Sequence, residues 1–159
     1  MNKLILCEGA TDAILLSYYL ERTAGWKFVR QPPQGVSIRA TEQNEEVTWY
    51  KKNNDYLLIC AVGGKDNFGK FFDDKIQKPL VMSDAFEKIA IVADRDNREV
   101  SEIETEASAF LKVPCGTIKN NQWNDCSYTN EFRMEKTFSA LLVVIPQEQQ
   151  GALETAMLA

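Results

Sequence analysis

The sequence predicts an α/β fold in which helices cover both faces of a mainly parallel central sheet, which makes three layers. Three apolar runs, at 3–8, 56–62 and 88–93, have the length and the Val, Ile, Leu and Ala content of buried strands. Each run is followed by apolar side chains at intervals of three and four, the period of a helix that packs on one face. Strands that alternate with helices favour a parallel sheet, because a helix is the usual crossover between parallel strands.

The first unit is a strand at 3–8, a glycine turn and a helix that extends to Arg22. Thr11 or Asp12 is a suitable cap for the start of this helix. Residues 26–55 have a different pattern, because short alternating runs are broken by proline, glycine and asparagine. This pattern predicts a β-rich insertion, a hairpin being the simplest form.

The rest of the chain continues the alternation of strands and helices. The predicted elements are a helix at 68–76 broken at Pro79, a helix at 98–112, a hairpin at 114–134, a strand at 141–146 and the first turn of a helix at 151–159. Because that last helix has only begun where the sequence stops, we expect the natural protein to continue beyond Ala159. The length of 159 residues predicts a single domain, 1–159.

The amino-acid composition excludes several classes of function. The chain has 18 Lys and Arg against 23 Asp and Glu, a net charge of -5, so any contact with nucleic acid must be local, metal-assisted or supplied by a partner. Histidine is absent, which excludes Ser–His, Cys–His and His-ligated zinc chemistry in their usual forms.

No apolar run is long enough to span a membrane, and no signal-like segment precedes the first strand. Two of the four cysteines lie in apolar runs, which favours reduced thiols in a cytoplasmic protein.

Acidic residues follow two of the predicted strands. Glu8 comes after the first strand, and Asp94 and Asp96 come after the third. Side chains alternate along an extended segment, so Asp94 and Asp96 point to the same side, about 7 Å apart. If the strands are parallel neighbours, the three carboxylates should converge within about 4 to 8 Å and repel one another unless a cation lies between them. This arrangement predicts a Mg²⁺ site in which Mn²⁺ is a possible substitute.

Each motif also has a simpler interpretation. Asp94 and Asp96 fit a solvated loop that caps the next helix, and Glu8 fits a chance acid at a strand end. A haloacid-dehalogenase-type nucleophile pair would need Thr where the chain has Arg98. A P-loop is excluded because Asp66 stands where Ser or Thr is required, and an EF-hand is out of register. The basic residues Arg95, Arg98 and Lys119 could bind phosphate, but solvated charge is the simpler role for each.

The three motifs together resemble the Toprim domain of topoisomerases, primases and certain nucleases. They are a strand ending in Glu8-Gly9, a second strand followed by Gly63-Gly64, and a third ending in Asp94-x-Asp96. The segment 63–67, Gly-Gly-Lys-Asp-Asn, is similar to one in stand-alone Toprim-like proteins of unknown function. The resemblance implies a three-layer, Rossmann-like Toprim fold with a mainly parallel sheet.

The resemblance also implies roles for individual residues. It makes Glu8, Asp94 and Asp96 both metal ligands and catalytic residues, with Glu8 a ligand or a general acid or base. The residues it assigns to phosphate or substrate binding are Gly9, Asp12, Gly63, Gly64 and Lys65.

Two functions follow as expectations. The first is Mg²⁺-dependent phosphodiester cleavage or phosphoryl transfer on nucleic acid, with a nuclease as the specific reaction. The second is a non-catalytic module that binds a metal, a nucleotide or a protein partner in the same acidic crevice. Binding of nucleic acid by these residues alone is expected to be weak, on the order of 10⁻⁴ M, because no basic stripe is present. The protein partner in this second function is either a different protein or a second copy of the same chain.

Overall fold

The computed structural model describes residues 1–111, 116–146 and 149–152, which form one sheet with helices packed against it. The strands are β1 (Asn2–Cys7), β2 (Lys27–Val29), β3 (Glu46–Lys52), β4 (Asp55–Ala61), β5 (Lys88–Asp94), β6 (Trp123–Thr129) and β7 (Glu135–Ile145). The helices are α1 (Ala10–Ala24), α2 (Phe68–Phe71), α3 (Gln77–Ser83) and α4 (Val100–Phe110). The helix expected at 151–159 lies almost wholly outside the described residues.

The sheet is mixed, with the strand order β2-β3-β4-β1-β5-β7-β6. Four central strands, β4, β1, β5 and β7, are parallel neighbours. At the edges, β2 pairs with β3, β3 with β4 and β6 with β7, all antiparallel. Half of the six strand pairings in the described chain are therefore antiparallel, and the prediction of a Rossmann-like, mainly parallel three-layer Toprim fold is wrong.

A short connection explains the antiparallel pairing of β3 with β4. Only Asn53 and Asn54 separate β3 from β4, and Asn53 has a positive φ of 54°. A link of this length reverses the chain, whereas a parallel pairing needs a crossover of a dozen or more residues. The predicted insertion at 26–55 therefore extends the sheet through β2 and β3 instead of forming a separate unit.

The two faces of the sheet are covered unequally. Alternate residues such as Leu58, Ile89 and Leu142 belong to the larger core, to which the helical segments after β4 and β5 contribute Phe71 and Ile103. The opposite face carries a smaller cluster. Among the described helices α1 alone packs there, through Ala13, Leu16 and Leu20. One helix on this face is less than the full third layer that the sequence predicts.

The helical segment after β4 passes through Pro79 instead of ending there. A 3₁₀ turn at Lys65–Asn67, α2, a π-helical turn at Phe72–Ile76 and α3 follow one another without a break. Proline has no N–H to donate, but the π-helical turn makes Gln77 the start of a new helix, with Pro79 in its first turn. In the π-helical turn the N–H of Gln77 donates to Phe72 O, so the regular i to i−4 hydrogen bonding is already interrupted just before Pro79.

A nearly buried ion pair fastens the long segment between β2 and β3 to this helical segment. Lys75 Nζ lies 3.4 Å from Glu45 Oε1 and donates to Arg39 O at 3.0 Å and to Thr41 Oγ1 at 2.6 Å. The two charged side chains are only 11% and 7% exposed. Glu45 Oε1 also accepts hydrogen bonds from the backbone N–H groups of Thr41 and Glu42. The segment is thereby fixed over the carboxyl end of β4.

The cysteines in apolar runs behave as core residues, since Cys7 and Cys60 are both buried and both carry free thiols. In the described part of the chain, no helix combines the length and the apolar character that a membrane crossing requires.

Candidate metal and phosphate site

Parallel pairing brings Glu8 and Asp94 together at one edge of the sheet. Cys7 is in register with Ala61 of β4 and with Val92 of β5, so the residue after β1 lies beside the end of β5. Glu8 Oε1 accepts a hydrogen bond from the backbone N–H of Asp94 at 3.3 Å. This contact joins Glu8 to the backbone of Asp94, and the convergence of the carboxylates of Glu8, Asp94 and Asp96 stays a prediction.

The carboxyl group of Glu8 is electrostatically unusual. Burial, the largest cause, and the negative charges of Asp94 and Asp96 together raise its pKa from 4.5 to about 7. The hydrogen bond from Asp94 N and the charge of Arg98 act against this rise. A carboxyl group that titrates near neutrality is suited to accept or donate a proton at physiological pH.

Asp96 is held through its backbone. It has a left-handed φ of 54°, its N–H donates to Gly151 O, and its carbonyl accepts from Gly151 N at 2.9 Å. Its charge acts on Glu8, but among the described residues no three Asp, Glu, Cys or His side chains are grouped as a metal site by themselves. A direct ligand role for Asp96 stays a prediction.

The pair of Glu8 and Asp94 nevertheless fits Mg²⁺. Magnesium keeps several of its waters and is usually held by one or two carboxylates together with substrate phosphate, so three protein ligands are not required. Like charges that raise the pKa of Glu8 are also what a bound cation would neutralise.

The backbone around this site is fixed by hydrogen bonds from the N–H groups of three glycines. Gly63 N and Gly64 N both donate to the carbonyl oxygen of Glu8, at 3.0 and 2.9 Å. Gly9 N donates to the buried Asp12 Oδ2 at 3.1 Å, which caps α1. These N–H groups hold the site in shape, and the roles of Gly9, Asp12, Gly63 and Gly64 in binding phosphate or substrate stay predictions.

A crevice of about 560 Å³ lies at this edge of the sheet. Its lining includes most of the predicted site residues, together with Gln43, Asn44 and Glu46 from the insertion, and Ala10 and Thr11 at the start of α1. Lys65 is exposed and lines a different, smaller cavity beside Arg98, so the structure does not bring it to the crevice.

Sequence reasoning missed two contributions. Gln43 and Asn44 reach the crevice through the folding of a segment that has no strand or helix pattern, so no local signal reveals them. Arg98 was assigned solvated charge, yet its side chain is 15% exposed and lies 3.8 Å from Glu8 Oε1. The signal in the sequence was that Arg98 closely follows the acidic residues Asp94 and Asp96.

Gly63 is expected to be intolerant of a side chain. Its φ is +88°, and a Cβ there would lie 3.2 Å from Asn44 Cβ. We expect Gly63→Ala to destabilise the fold by about 2–3 kcal/mol, because the cost of a left-handed backbone for alanine and the cost of the close contact with Asn44 add up. Gly35→Ala is the matched control, with a φ of +84° and open space around the added carbon; its expected cost is about 1 kcal/mol. Urea unfolding measures both, and equal costs would show that contact with Asn44 is irrelevant.

Comparison with known proteins gives a fold but no family. No protein-family profile and no curated protein matches the chain. A solved structure, that of a hypothetical protein from Pyrococcus horikoshii OT3, is 19% identical with a TM-score of 0.67, and the match covers 99% of this chain and 64% of that one. The chain thus has the fold of that protein and spans less than two thirds of its length. A lactoylglutathione lyase from Agrobacterium tumefaciens matches with 14% identity over 88% of this chain and 92% of that one, at a TM-score of 0.26.

Proposed function

We propose that this chain is a Mg²⁺-dependent enzyme that cleaves or transfers phosphodiester groups of nucleic acid, most specifically a nuclease. The observation that carries the proposal is Glu8, which lies against Asp94 at the carboxyl ends of parallel strands with its pKa raised to about 7. Ligands of open α/β sheets bind outside this end of the strands. The Toprim resemblance of the three sequence motifs is a second support, and it remains part of the proposal.

In this proposal Glu8 and Asp94 hold the metal and Asp96 adds negative charge, with proton transfer by Glu8 as the alternative to its role as a ligand. When bound, Mg²⁺ or Mn²⁺ would polarise the phosphate and stabilise the leaving oxygen. The substrate phosphate would lie against the start of α1, where Ala10 and Thr11 line the crevice. The first N–H groups of a helix have no partner within it and attract anions.

Metal binding is expected to stabilise the folded protein. At a Mg²⁺ concentration tenfold above its Kd the gain is about 1.4 kcal/mol, which raises the Tm by about 3–6 °C. Asp94→Asn should lose most of this shift, because it removes a ligand and half of the carboxylate pair. Glu135→Gln, an exposed residue at the start of β7, is the control and should keep it. A full shift in Asp94→Asn would place the ion elsewhere.

Catalysis is tested with end-labelled single- and double-stranded DNA and RNA in the presence of Mg²⁺ or Mn²⁺. We expect metal-dependent cleavage that Glu8→Gln reduces at least 100-fold, since one general acid or base contributes about that much. Glu135→Gln should cleave like the wild type. Cleavage that persists in Glu8→Gln, or that needs no divalent ion, would contradict the proposal.

A second candidate is a non-catalytic module that binds a metal ion, a nucleotide or a protein partner. The observation that favours it is the lining of the crevice, which among the described residues contains Glu8, Asp12, Glu46 and Asp94 but no Lys or Arg. Without basic side chains, affinity for nucleic acid should be about 10⁻⁴ M or weaker at physiological salt. Metal binding with no cleavage of any substrate would favour this candidate. A cytoplasmic site of action, which the composition of the sequence predicts, is part of the proposal for either candidate.

A further inference from the structure

Arg98 lies beside Glu8 and Asp94, and its side chain contacts other residues of the protein. Nη2 donates to Asp94 O at 2.9 Å and lies 3.8 Å from Glu8 Oε1. Nη1 donates to Glu106 Oε2 on α4 at 2.8 Å. The backbone of Arg98 is fixed as well, because its carbonyl accepts a hydrogen bond from Arg95 Nε at 3.0 Å.

These contacts decide between two roles for an arginine at such a site. A guanidinium that binds substrate phosphate offers its fork of N–H groups to the ligand. Here both ends of the fork face protein oxygens, Nε is buried, and Arg98 is absent from the lining of the crevice. The geometry fits an arginine that orients a carboxylate better than one that binds the substrate.

We propose that Arg98 is a positioning residue that holds Glu8 in place for metal binding, and that Glu106 anchors Arg98 from α4. This proposal rests on the proposed function. The chain of contacts runs from Glu106 to Arg98 and on to Glu8, so α4 becomes part of the support of the site. Partners that orient a metal ligand in this way typically affect metal affinity 10- to 100-fold when they are changed.

The contacts on the two sides of the guanidinium predict that a lysine cannot replace Arg98 in this role. The separated nitrogens of the guanidinium reach Glu106 on one side and the Glu8–Asp94 pair on the other. A lysine keeps the charge but has one nitrogen, which cannot span both contacts. Arg98→Lys therefore tests position with charge held constant.

The experiment measures two quantities in Arg98→Lys and Glu106→Gln. The first is the exchange rate of the Asp94 amide hydrogen, which donates to Glu8 Oε1 and so reports whether Glu8 is held. The second is the Mg²⁺ affinity, from calorimetry on the purified protein. Controls are Arg22→Lys, on the far end of α1, and Glu135→Gln. Glu106 is 57% exposed, so Glu106→Gln tests the idea with little risk to the fold.

We expect amide exchange at Asp94 to be at least 10-fold faster and Mg²⁺ binding at least 10-fold weaker in Arg98→Lys. Glu106→Gln should move both quantities in the same direction by a smaller factor, with neither control changed. Exchange at Asp94 within twofold of the wild type in both variants would overturn the positioning role. If exchange accelerates but the wild-type protein binds no Mg²⁺, Arg98 holds Glu8 and the proposed function is the part that fails.

Discussion

Replacing Glu8 with Gln is expected to abolish a loss of stability that the wild-type protein undergoes between about pH 4.5 and pH 7. The carboxyl group has a pKa of 4.5 in the unfolded chain and about 7 in the folded protein, because burial and the charges of Asp94 and Asp96 disfavour its ionised form. The folded state therefore binds the proton more tightly, and stability falls as the pH rises through this window. At about 1.4 kcal/mol per pH unit the loss is about 3 kcal/mol.

Urea unfolding at several pH values between 4 and 8, without divalent ions, measures this effect. The difference in free energy of unfolding between Glu8→Gln and the wild type should grow in favour of the variant as the pH rises. Glu135→Gln controls for the removal of one carboxyl group. Parallel curves for Glu8→Gln and the wild type would mean that Glu8 ionises normally in the folded protein.

Replacing Lys75 with Met is expected to cost about 1–3 kcal/mol, because it leaves the ionised and largely covered carboxylate of Glu45 without its charged partner. Although burial raises the pKa of Glu45, the N–H groups of Glu42 and Thr41 and the charge of Lys75 lower it by more. The ionised Glu45 therefore contributes stability above about pH 4.5, and this contribution is lost as the pH falls.

Two further variants test the cause. Lys78→Met, on the exposed side of α3, removes the same charge and should cost under about 0.5 kcal/mol. The double variant Lys75→Met, Glu45→Gln should regain part of the loss, because no unpaired charge is then buried. Urea unfolding at pH 7 measures all three, and equal costs for Lys75→Met and Lys78→Met would contradict the role of the ion pair.

The strand pattern could be predicted from the sequence where burial determines it. The runs at 3–8, 56–62 and 88–93 became β1, β4 and β5 with ends within about two residues, since strands buried on both faces need apolar side chains throughout. The direction of the edge strands could not be predicted in this way. Alternating polar and apolar residues are compatible with either direction, and a short connection fixes the antiparallel pairing only for β3 with β4 and for β6 with β7.

The candidate site, too, could be predicted from the sequence only in part. Glu8 and Asp94 could be placed together because parallel strands end at one edge of the sheet. The roles of Gly63 and Gly64 could not, since only the folded chain reveals that their N–H groups are used by Glu8 O. Nor does the sequence show that Arg98 spans from Glu106 to Glu8, because that contact depends on how the loop after β5 turns back toward the sheet.

The position of β1 in the middle of the sheet has a consequence for how the protein folds. The pairs β3–β4 and β6–β7 are adjacent in sequence, so each forms by closing a short loop, whereas Leu4 pairs with Leu58 on one side and Ile89 on the other. Closing long loops is entropically costly and slows folding. During synthesis on the ribosome, β1 therefore has no neighbour in the sheet until β4 has left the exit tunnel, and Glu8 meets Asp94 only after β5 has followed.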